Sequence, residues 1–330
     1  MQKNPSVAVI GAGLAGLACA TALQAAGCAV LVLDKSRGPG GRMSTRRGDG
    51  WQCDHGAQYF TARDPRFILE VDRWQAAGAA GLWQPRLAVL GDADRHQTDA
   101  NLRRYVGTPR MTAPARFLAD ELSVMLACTV DGITKTAAGW QVCSREHGAL
   151  PQLFDAVVVA VPAPQAAPLL ESVAVSLAQI ARQAVMRAAW ALMLHYDAAV
   201  DLPFDAAFVN GSPLRWITRE SSKPGRPARE TWLLHATAAW SERHVEADAG
   251  SVAAALLKAF ADLGAPPPAA WTAHRWRYAD SEPALMLGHC WEPAQQLGLC
   301  GDWLNGGKVE GAWLSGQQLA EAIIGANRLC

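Results

Sequence analysis

The segment that most constrains the fold is SVAVIGAGLAGLACATALQAAG, residues 6–27, which predicts a buried strand, a tight turn and a helix in immediate succession. The run from Val7 to Ile10 is typical of a strand in a parallel sheet. Gly11 permits the turn, Gly13 lets a phosphate approach the backbone, and Gly16 lets the helix pack against the strand. The N–H groups and the dipole at the start of this helix are therefore predicted to bind a pyrophosphate.

An acidic residue at the end of the next predicted strand supports a dinucleotide site. AVLVLDKS, residues 29–36, has the pattern of that strand, and Asp34 follows Gly16 by 18 residues. A carboxylate at this position suits hydrogen bonds to the ribose hydroxyls of an adenosine. The motif alone does not separate NAD from FAD. The residues predicted to contact the dinucleotide here are Gly11, Ala12, Gly13, Leu14, Ala15, Gly16, Asp34 and Lys35.

The next stretch, SRGPGGRMSTRR at residues 36–47, distinguishes the two cofactors. A glycine pair followed by arginine, just past the acidic strand end, resembles the RxxGGR signature of the amine-oxidase-like flavoproteins. In that family the segment wraps the pyrophosphate and ribityl chain of FAD. The resemblance implies FAD as the cofactor, and a simple NAD dehydrogenase has no need of the motif. The residues concerned are Arg37, Gly40, Gly41, Arg42 and, beside them, Met43.

A second glycine-rich turn, GDWLNGGKVEGAWLSG at residues 301–316, stands near the end of the chain. We expect Asp302 to accept hydrogen bonds from ribityl hydroxyls, and Gly311 and Ala312 to open the last helix. The N-terminus of that helix would face the flavin N1 and C2 carbonyl, where reduction places negative charge. The segment resembles the GD…EGA…SG…A ending of the same family, with matches at Gly301, Asp302, Glu310, Gly311, Ala312, Ser315 and Gly316.

Within this superfamily the chain resembles the renalases, most closely their bacterial members. The resemblance rests on CDHGAQYFTARDPRF at residues 53–67, and it extends to MTAPARFLADEL, SSKPGR, WLLHATAAWSERH and HRWRYA. It implies an enzyme that oxidises the 2- and 6-dihydro isomers of NAD(P)H to NAD(P)+. FAD would pass the electrons to O2 and give hydrogen peroxide.

The resemblance also suggests a flavin edge and a substrate pocket. Gly56, Ala57, Gln58 and Tyr59 would pass the flavin near N5, and Val130 would contact the adenine through its backbone. Position is the main catalytic task for a hydride donor, so no acid or base is strictly required. His235 would orient a nicotinamide carboxamide or would be a buried core histidine. The tryptophans that would form flat walls, or instead fill the core, are Trp216, Trp232, Trp240 and Trp276.

Three other functions remain open at this point. An amine oxidase usually places a lysine of the substrate domain near flavin N5, but none lies between Trp276 and Cys300, and Lys308 belongs to the ribityl turn. The cysteine that tethers FAD in covalent amine oxidases is also missing, so noncovalent FAD is expected. A non-catalytic FAD-binding protein fits the same motifs, whereas a plain NAD dehydrogenase is disfavoured.

These elements predict an α/β fold: an FAD-binding, doubly wound, Rossmann-like domain with an inserted mixed α+β substrate domain. The FAD-binding domain would be discontinuous and comprise residues 1–72, 105–165 and 291–330. The substrate domain would comprise residues 73–104 and 166–290 and would be a mixed sheet with helices that cover the flavin.

Composition limits the partners and the cell compartment. The formal net charge is zero, which argues against nucleic-acid binding. The eight cysteines form no CxxC pair and no cluster with metal-ligand spacing, so we expect reduced thiols, no metal and no disulfide-redox site. No stretch reaches 18 uninterrupted apolar residues, and no signal peptide is recognisable. A cytoplasmic protein with no membrane contact, acting on a dihydronicotinamide dinucleotide and O2, is the expectation.

Overall fold

The computed structural model describes residues 4–91 and 102–326. Eight α-helices are assigned there: α1 Leu14–Ala25, α2 Pro65–Ala76, α3 Ala113–Ala119, α4 Ala163–Leu170, α5 Val175–Gln183, α6 Ala238–Arg243, α7 Ala249–Ala261 and α8 Val309–Ala326. Short 3-10 helices cover Gly41–Met43, Glu220–Ser222 and Asp302–Leu304.

The same residues form nineteen strands. In the first half of the chain these are β1 Ser6–Ile10, β2 Ala29–Leu33, β3 Thr45–Gly48, β4 Trp51–Asp54, β5 Ala80–Trp83, β6 Leu87–Leu90, β7 Arg104–Gly107, β8 Ser123–Met125, β9 Val130–Thr136, β10 Gly139–Ser144, β11 Gly148–Phe154 and β12 Ala156–Val159. In the second half they are β13 Met186–His195, β14 Ala206–Val209, β15 Leu214–Arg219, β16 Thr231–Ala236, β17 Ala270–Ser281, β18 Cys290–Glu292 and β19 Leu297–Leu299.

The first large sheet has the order β18-β19-β12-β1-β2-β8 and is parallel except for the β18–β19 pair. Its central strands are short runs rich in valine, and both faces are buried, as a parallel sheet requires. Helices α1 and α8 pack closely against each other beside this sheet. A Cβ added to Gly316 of α8 would lie only 2.1 Å from the Ala15 carbonyl oxygen of α1. The predicted α/β fold with a Rossmann-like domain is confirmed.

The second large sheet has the order β17-β13-β16-β15-β14-β6 and is antiparallel except for β14–β6. One face packs Leu192 and Leu194 against Leu256 and Phe260 of α7. The other face lies over the β3–β4 hairpin, where Met193 belongs to the same apolar cluster as Cys53, Ala191 and Leu233. This second face is turned towards the segment that follows β4, which positions the candidate site.

The strands of the two large sheets come from different parts of the chain. The first sheet draws on residues 6–33, 123–159 and 290–299, and the second on 87–90 and 186–281. However, α4 and α5 pack in the core of the first sheet, so the predicted limit at residue 165 falls inside a helix. The division into domains stays a prediction, and residues 1–3, 92–101 and 327–330 of its ranges lie outside the described chain.

One global property follows from the helices. Over residues 4–91 and 102–326, no helix combines the length and the apolar character that a membrane span requires.

Candidate functional site

In the first glycine turn, two glycines leave no room for a side chain and the third has free space beside it. Gly11 has a φ of +114°, and a Cβ there would lie 2.6 Å from the Ala160 carbonyl oxygen. A Cβ on Gly16 would lie 2.0 Å from the Gly11 carbonyl oxygen, whereas one on Gly13 would meet nothing within 4 Å. Gly13 is the N-cap of α1, and no side chain caps this helix. The first N–H groups of α1, those of Leu14, Ala15 and Gly16, therefore have no side-chain cap, and the space beside Gly13 is free.

Asp34 follows β2, and its carboxylate secures the glycine turn. Its Oδ2 accepts a hydrogen bond from the Ala12 N–H at 2.7 Å, and its Oδ1 accepts one from the Ser36 N–H at 2.7 Å. Each carboxylate oxygen has a further lone pair, so a ribose hydroxyl can still donate to it. The neighbouring Lys35 is exposed.

Val130 begins β9, beside the loop that carries Asp34. The Asp34 N–H donates to the Met125 carbonyl at 3.0 Å, and the Cys128 N–H donates to the Asp34 carbonyl at 2.9 Å. These bonds bring the start of β9 to the adenosine end of the expected site. The predicted adenine contact of Val130 stays a prediction.

The glycine pair and the arginine that follows it pack on the first turn. The Gly40 N–H donates to the Ala12 carbonyl at 2.9 Å, and a Cβ on Gly41 would lie 3.4 Å from the Gly13 Cα. The Arg42 carbonyl accepts the Ala57 N–H at 2.9 Å, which connects this turn to the segment after β4. Met43 is buried in the same core cluster as α1.

Arg42 and Asp302 form a bidentate ion pair that joins the two glycine-rich segments. The Arg42 Nη1 lies 2.9 Å from Asp302 Oδ2, and Nη2 contacts Oδ1. The sequence analysis expected Asp302 to accept from ribityl hydroxyls. In the structure, both carboxylate oxygens of Asp302 accept hydrogen bonds from the Arg42 guanidinium, because the planar guanidinium and the carboxylate match in geometry.

The last helix starts two residues before the expected position. It begins at Val309, and the Ala312 N–H donates to the Lys308 carbonyl at 2.9 Å, so this group is already bonded. The expectation that Gly311 and Ala312 open the helix is corrected accordingly. Gly311 has another reason to be glycine, since a Cβ there would lie 1.8 Å from the Asn305 carbonyl oxygen.

Glu310, in the first turn of α8, connects that helix to α2. Its Oε1 accepts the Arg63 and Asp64 N–H groups, both at 2.7 Å. Asp64 is the N-cap of α2. A carboxylate between two helix N-termini is favoured by both dipoles.

His235 and Trp276 hold the backbone immediately before Gly56. The His235 Nε2 donates to the His55 carbonyl at 3.0 Å, and the Trp276 Nε1 donates to the same oxygen at 2.9 Å. The His235 Nε2 is thus engaged within the protein rather than free for a carboxamide. Both side chains project from the face of the second sheet that covers the β3–β4 hairpin.

The histidines here are neutral at pH 7. Burial, and then the neighbouring Arg215, lower the pKa of His235 to about 3. Burial, and then His274, lower the pKa of His55 to about 4. His55 stacks on Trp276 with ring centroids 5.1 Å apart.

Four aromatic side chains, Tyr59, Trp83, Trp216 and Phe208, form a group that we term the aromatic wall. Ring centroids are 5.5 Å apart for Tyr59 and Trp216, 6.3 Å for Tyr59 and Trp83, and 4.7 Å for Phe208 and Trp216. Tyr59 and Phe208 are half-buried, so the wall borders accessible space. Of its four members, Tyr59 directly follows Gly56, Ala57 and Gln58 in the chain.

Trp232 and Trp240 do not belong to this wall. The sequence left two alternatives open for them, and both residues pack away from the wall. Trp232 is fully buried on the other face of β16, 5.6 Å from the Phe260 ring. Successive strand residues point to opposite faces, so Trp232 and His235 cannot share one. Trp240 lies on α6 and stacks on His244 at 4.1 Å.

The sequence analysis missed a buried charged cluster beneath Gln58. The Lys223 Nζ lies 3.4 Å from Asp54 Oδ2 and 3.2 Å from Gln58 Oε1, and it also contacts Glu220. Burial opposes ionisation of Asp54, but Lys223 and Arg226 outweigh it and lower its pKa to about 2. The sequence feature that could have indicated this cluster is the segment SSKPGR, which contains Lys223. This lysine is far in sequence from the stretch between Trp276 and Cys300, where an amine-oxidase lysine was expected.

A pair of thiols is also close in space. A hydrogen bond with Cys300, followed by burial, raises the pKa of Cys19 well above its usual value. The absence of a CxxC pair therefore did not exclude a cysteine contact. Cys330 lies outside the described residues. The part of the chain that the structure describes contains no group of three or more metal-ligating side chains suited to an ion.

Comparison with known proteins identifies the family. Residues 9–69 match the NAD(P)-binding Rossmann-like domain, and residues 66–324 match the flavin containing amine oxidoreductases. The chain belongs to the flavin containing amine oxidoreductase family. The second match covers most of the chain, including every strand of the second large sheet.

Several solved structures share the fold at low sequence identity. Cyclohexylamine oxidase from Brevibacterium oxydans is 15% identical, with a TM-score of 0.74 over 99% of this chain and 100% of that one. Putrescine oxidase bound to putrescine is 14% identical, with a TM-score of 0.72 over 98% of this chain and 100% of that one. These similarities establish the fold alone.

Resemblances over shorter stretches extend the comparison. A hydroxyneurosporene desaturase of Rubrivivax gelatinosus is 39% identical over 94 residues, 28% of this chain. One of Cereibacter sphaeroides is 43% identical over 63 residues, 19% of this chain. The matched regions span only 17% and 13% of those desaturases, respectively.

The cofactor of this flavin-containing oxidoreductase is FAD, and the residues present fit it. The uncapped start of α1 opens on free space at Gly13, where a pyrophosphate needs room and N–H donors. Asp34 and Lys35 stand at the adenosine end, and the Arg42–Asp302 pair connects this turn to the one before α8. We therefore assign the FAD-binding role to these two turns and to the segment Gly56–Tyr59 as a proposal.

Proposed function

We propose that this flavoprotein is an oxidase of the renalase type, which converts 2- and 6-dihydro isomers of NAD(P)H to NAD(P)+. When bound, FAD supplies the acceptor of the hydride at N5, and O2 takes up the two electrons with two protons to leave as hydrogen peroxide. The observation that carries the proposal is the aromatic wall, a group of tilted apolar rings that includes Tyr59 of the segment Gly56–Tyr59 and offers apolar contacts to a nicotinamide ring.

The residues around Gly56 fix position rather than move protons. A Cβ on Gly56 would lie 2.0 Å from the Arg42 carbonyl oxygen, and the Ala57 N–H donates to that same oxygen. His235 and Trp276 hold the preceding carbonyl. A dihydropyridine releases a hydride without losing a heteroatom proton, so rigid placement supports the reaction, and a displacement near 1 Å can cost about 100-fold.

Neutral histidines agree with a hydride donor. The lowered pKa values of His55 and His235 leave both rings uncharged at pH 7. Neither ring therefore offers a cationic acid to the substrate, and the reaction needs none. We propose that His235 acts by holding the His55 carbonyl, and that any contact it makes with a carboxamide uses Nδ1.

An amine oxidase is the second candidate, and buried Lys223 is the observation that favours it. A lysine next to Gln58 lies close to the segment proposed to line the flavin. However, Lys223 Nζ has three donors and already contacts Glu220, Gln58 and Asp54. No donor is left to hold a water for amine oxidation, so the dihydronicotinamide proposal is preferred.

The test is anaerobic mixing of the purified holoprotein with candidate donors while flavin absorbance is recorded. A mixture of partially reduced NAD isomers should bleach the flavin within seconds, and ordinary NADH far more slowly. Simple amines should leave the spectrum unchanged, and admitted O2 should restore the colour with release of peroxide. Rapid bleaching by amines alone would support the amine oxidase, and no bleaching by any donor would support a non-catalytic FAD-binding protein.

A matched pair of variants tests the aromatic wall. Trp216→Phe removes the indole from the wall and should slow bleaching by the NAD isomers by about tenfold, since a smaller ring positions the substrate less firmly. Trp240→Phe changes a half-buried tryptophan of α6 on the opposite side of the sheet. It should leave the bleaching rate unchanged, and equal slowing in both variants would contradict the wall as the substrate surface.

A further inference from the structure

Arg104, at the start of β7, is a buried cation without a carboxylate partner. It is 8% exposed. Its Nη1 donates to the Leu102 carbonyl at 3.2 Å, and its Nε is buried with no acceptor. Among the residues that the structure describes, no carboxylate lies within 4.0 Å of its guanidinium. A buried charge left unpaired in this way is costly, so the site is incomplete without an anion.

The other buried cations near this point are paired. Lys223 contacts both Asp54 and Glu220, and Arg226 contacts Asp54. Two cations thus balance two carboxylates in that cluster, and it has no charge to spare for Arg104. The contrast indicates that the missing partner of Arg104 comes from outside the described chain.

Arg104 adjoins the aromatic wall. Its Cζ lies 5.6 Å from the Tyr59 ring centroid, and Arg104 pairs with Trp83 across the β5–β7 ladder. The Trp216 ring centroid lies 5.5 Å from that of Tyr59, and its buried Nε1 also has no acceptor. Two unsatisfied donors therefore adjoin one half-buried ring, and both require an acceptor oxygen.

We propose that Arg104, assisted by Trp216 Nε1, binds an oxyanion of the substrate, a carboxylate or a phosphate. This inference rests on the proposed function, in which the aromatic wall holds the substrate ring. For a dihydronicotinamide dinucleotide the oxyanion is a phosphate separated from the ring by one ribose. A guanidinium fork suits both anions, and an unpaired cation at this place repels an ammonium substrate.

The first experiment measures binding without turnover. The visible spectrum of the oxidised holoprotein is titrated with nicotinate, nicotinamide mononucleotide and uncharged nicotinamide. Arg104→Met should weaken binding of at least one anionic probe by about 10- to 100-fold and leave nicotinamide unaffected. Nicotinate and the mononucleotide distinguish a carboxylate from a phosphate. Anion binding that is undetectable in the wild type, or equal in wild type and variant, would overturn the proposal.

Two further variants serve as controls for this binding experiment. Arg103→Met removes the neighbouring exposed arginine, which lies over the Tyr105 ring, and should bind the anions like the wild type. Arg104→Lys keeps the charge and should recover part of the affinity, which remains informative if Arg104→Met does not fold. Equal weakening by Arg103→Met would show a general loss of positive potential and reject a specific site.

The second experiment separates this inference from the proposed function. Flavin bleaching is compared for dihydronicotinamide dinucleotide isomers and for the corresponding ribosides, which lack phosphate. Arg104→Met should slow the dinucleotide reaction about 10- to 100-fold at limiting substrate and spare the riboside. Bleaching that is equally unaffected for both donors rejects the role of Arg104. Wild-type protein that binds the anions but is bleached by neither donor rejects the proposed reaction and retains the anion site.

Discussion

Acidification from pH 7.5 to pH 5 should destabilise this protein, because two buried imidazoles must stay neutral in the folded state. Burial, and then His274, lower the pKa of His55 to about 4, and burial, and then Arg215, lower that of His235 to about 3. In an unfolded chain both pKa values return to about 6.5. The stabilisation is present above that value and is lost as the pH falls towards 4, because the unfolded chain then binds protons that the folded protein does not.

The magnitude follows from the two pKa values. A pH of 5 lies about 1.5 units below the pKa of the unfolded histidines. This difference lowers the free energy of unfolding by about 2 kcal/mol for each residue. Two residues contribute about 4 kcal/mol, and small proteins have total unfolding free energies of about 5–15 kcal/mol. The loss is therefore large enough to measure directly.

Urea unfolding of the holoprotein with constant excess FAD, followed by tryptophan fluorescence at pH 7.5 and pH 5, provides the assay. His235→Gln should be less stable at pH 7.5, but its unfolding free energy should fall by about 2 kcal/mol less than that of the wild type. His147→Gln, at an exposed turn, should show the full wild-type decrease. A wild type equally stable at both pH values, or a His235→Gln protein with the full decrease, would refute the reasoning.

Four further substitutions, in three experiments, test the FAD site. Asp34→Ala should weaken FAD binding by about 1.5–3 kcal/mol, measured by titrating apoprotein with FAD, and unchanged affinity would remove Asp34 from the site. Gly13→Ala should leave the stability of the apoprotein intact, since its Cβ meets nothing within 4 Å, yet it should weaken FAD binding because a phosphate needs that space; tight FAD binding would contradict this. Arg42→Met and Asp302→Asn should show a coupling of about 0.5–3 kcal/mol in a double-mutant cycle of unfolding, and additive effects would argue against their ion pair.

Much of the backbone geometry of the proposed FAD site was predictable because its determinants are local in sequence. The strand, Gly11, Gly13 and Gly16 specify a turn within a few residues, and the structure shows the expected pattern of two closed positions and one open one. Asp34 was placed correctly at the end of β2. Local backbone geometry of this kind depends on residue type and spacing, so a sequence displays it directly.

The tryptophans illustrate a question that the sequence left open. Four were expected either to form walls of the pocket or to fill the core, and Trp232 and Trp240 pack on the far side of the second sheet. Trp83, which was not considered, belongs to the aromatic wall. Composition counts such residues, but only strand register decides which face each one joins.

The sequence by itself determined the fold family, the cofactor and the two glycine turns, because these depend on short segments with strict backbone requirements. Tertiary structure alone decided the pairing of Arg42 with Asp302, the cluster of Asp54 with Lys223, and the burial of Arg104 with no carboxylate of the described residues beside it. Each of these depends on side chains that are far apart in sequence and meet only after the sheets have packed. Charge pairing and desolvation are therefore properties of the folded molecule, and they carry the inferences about substrate chemistry.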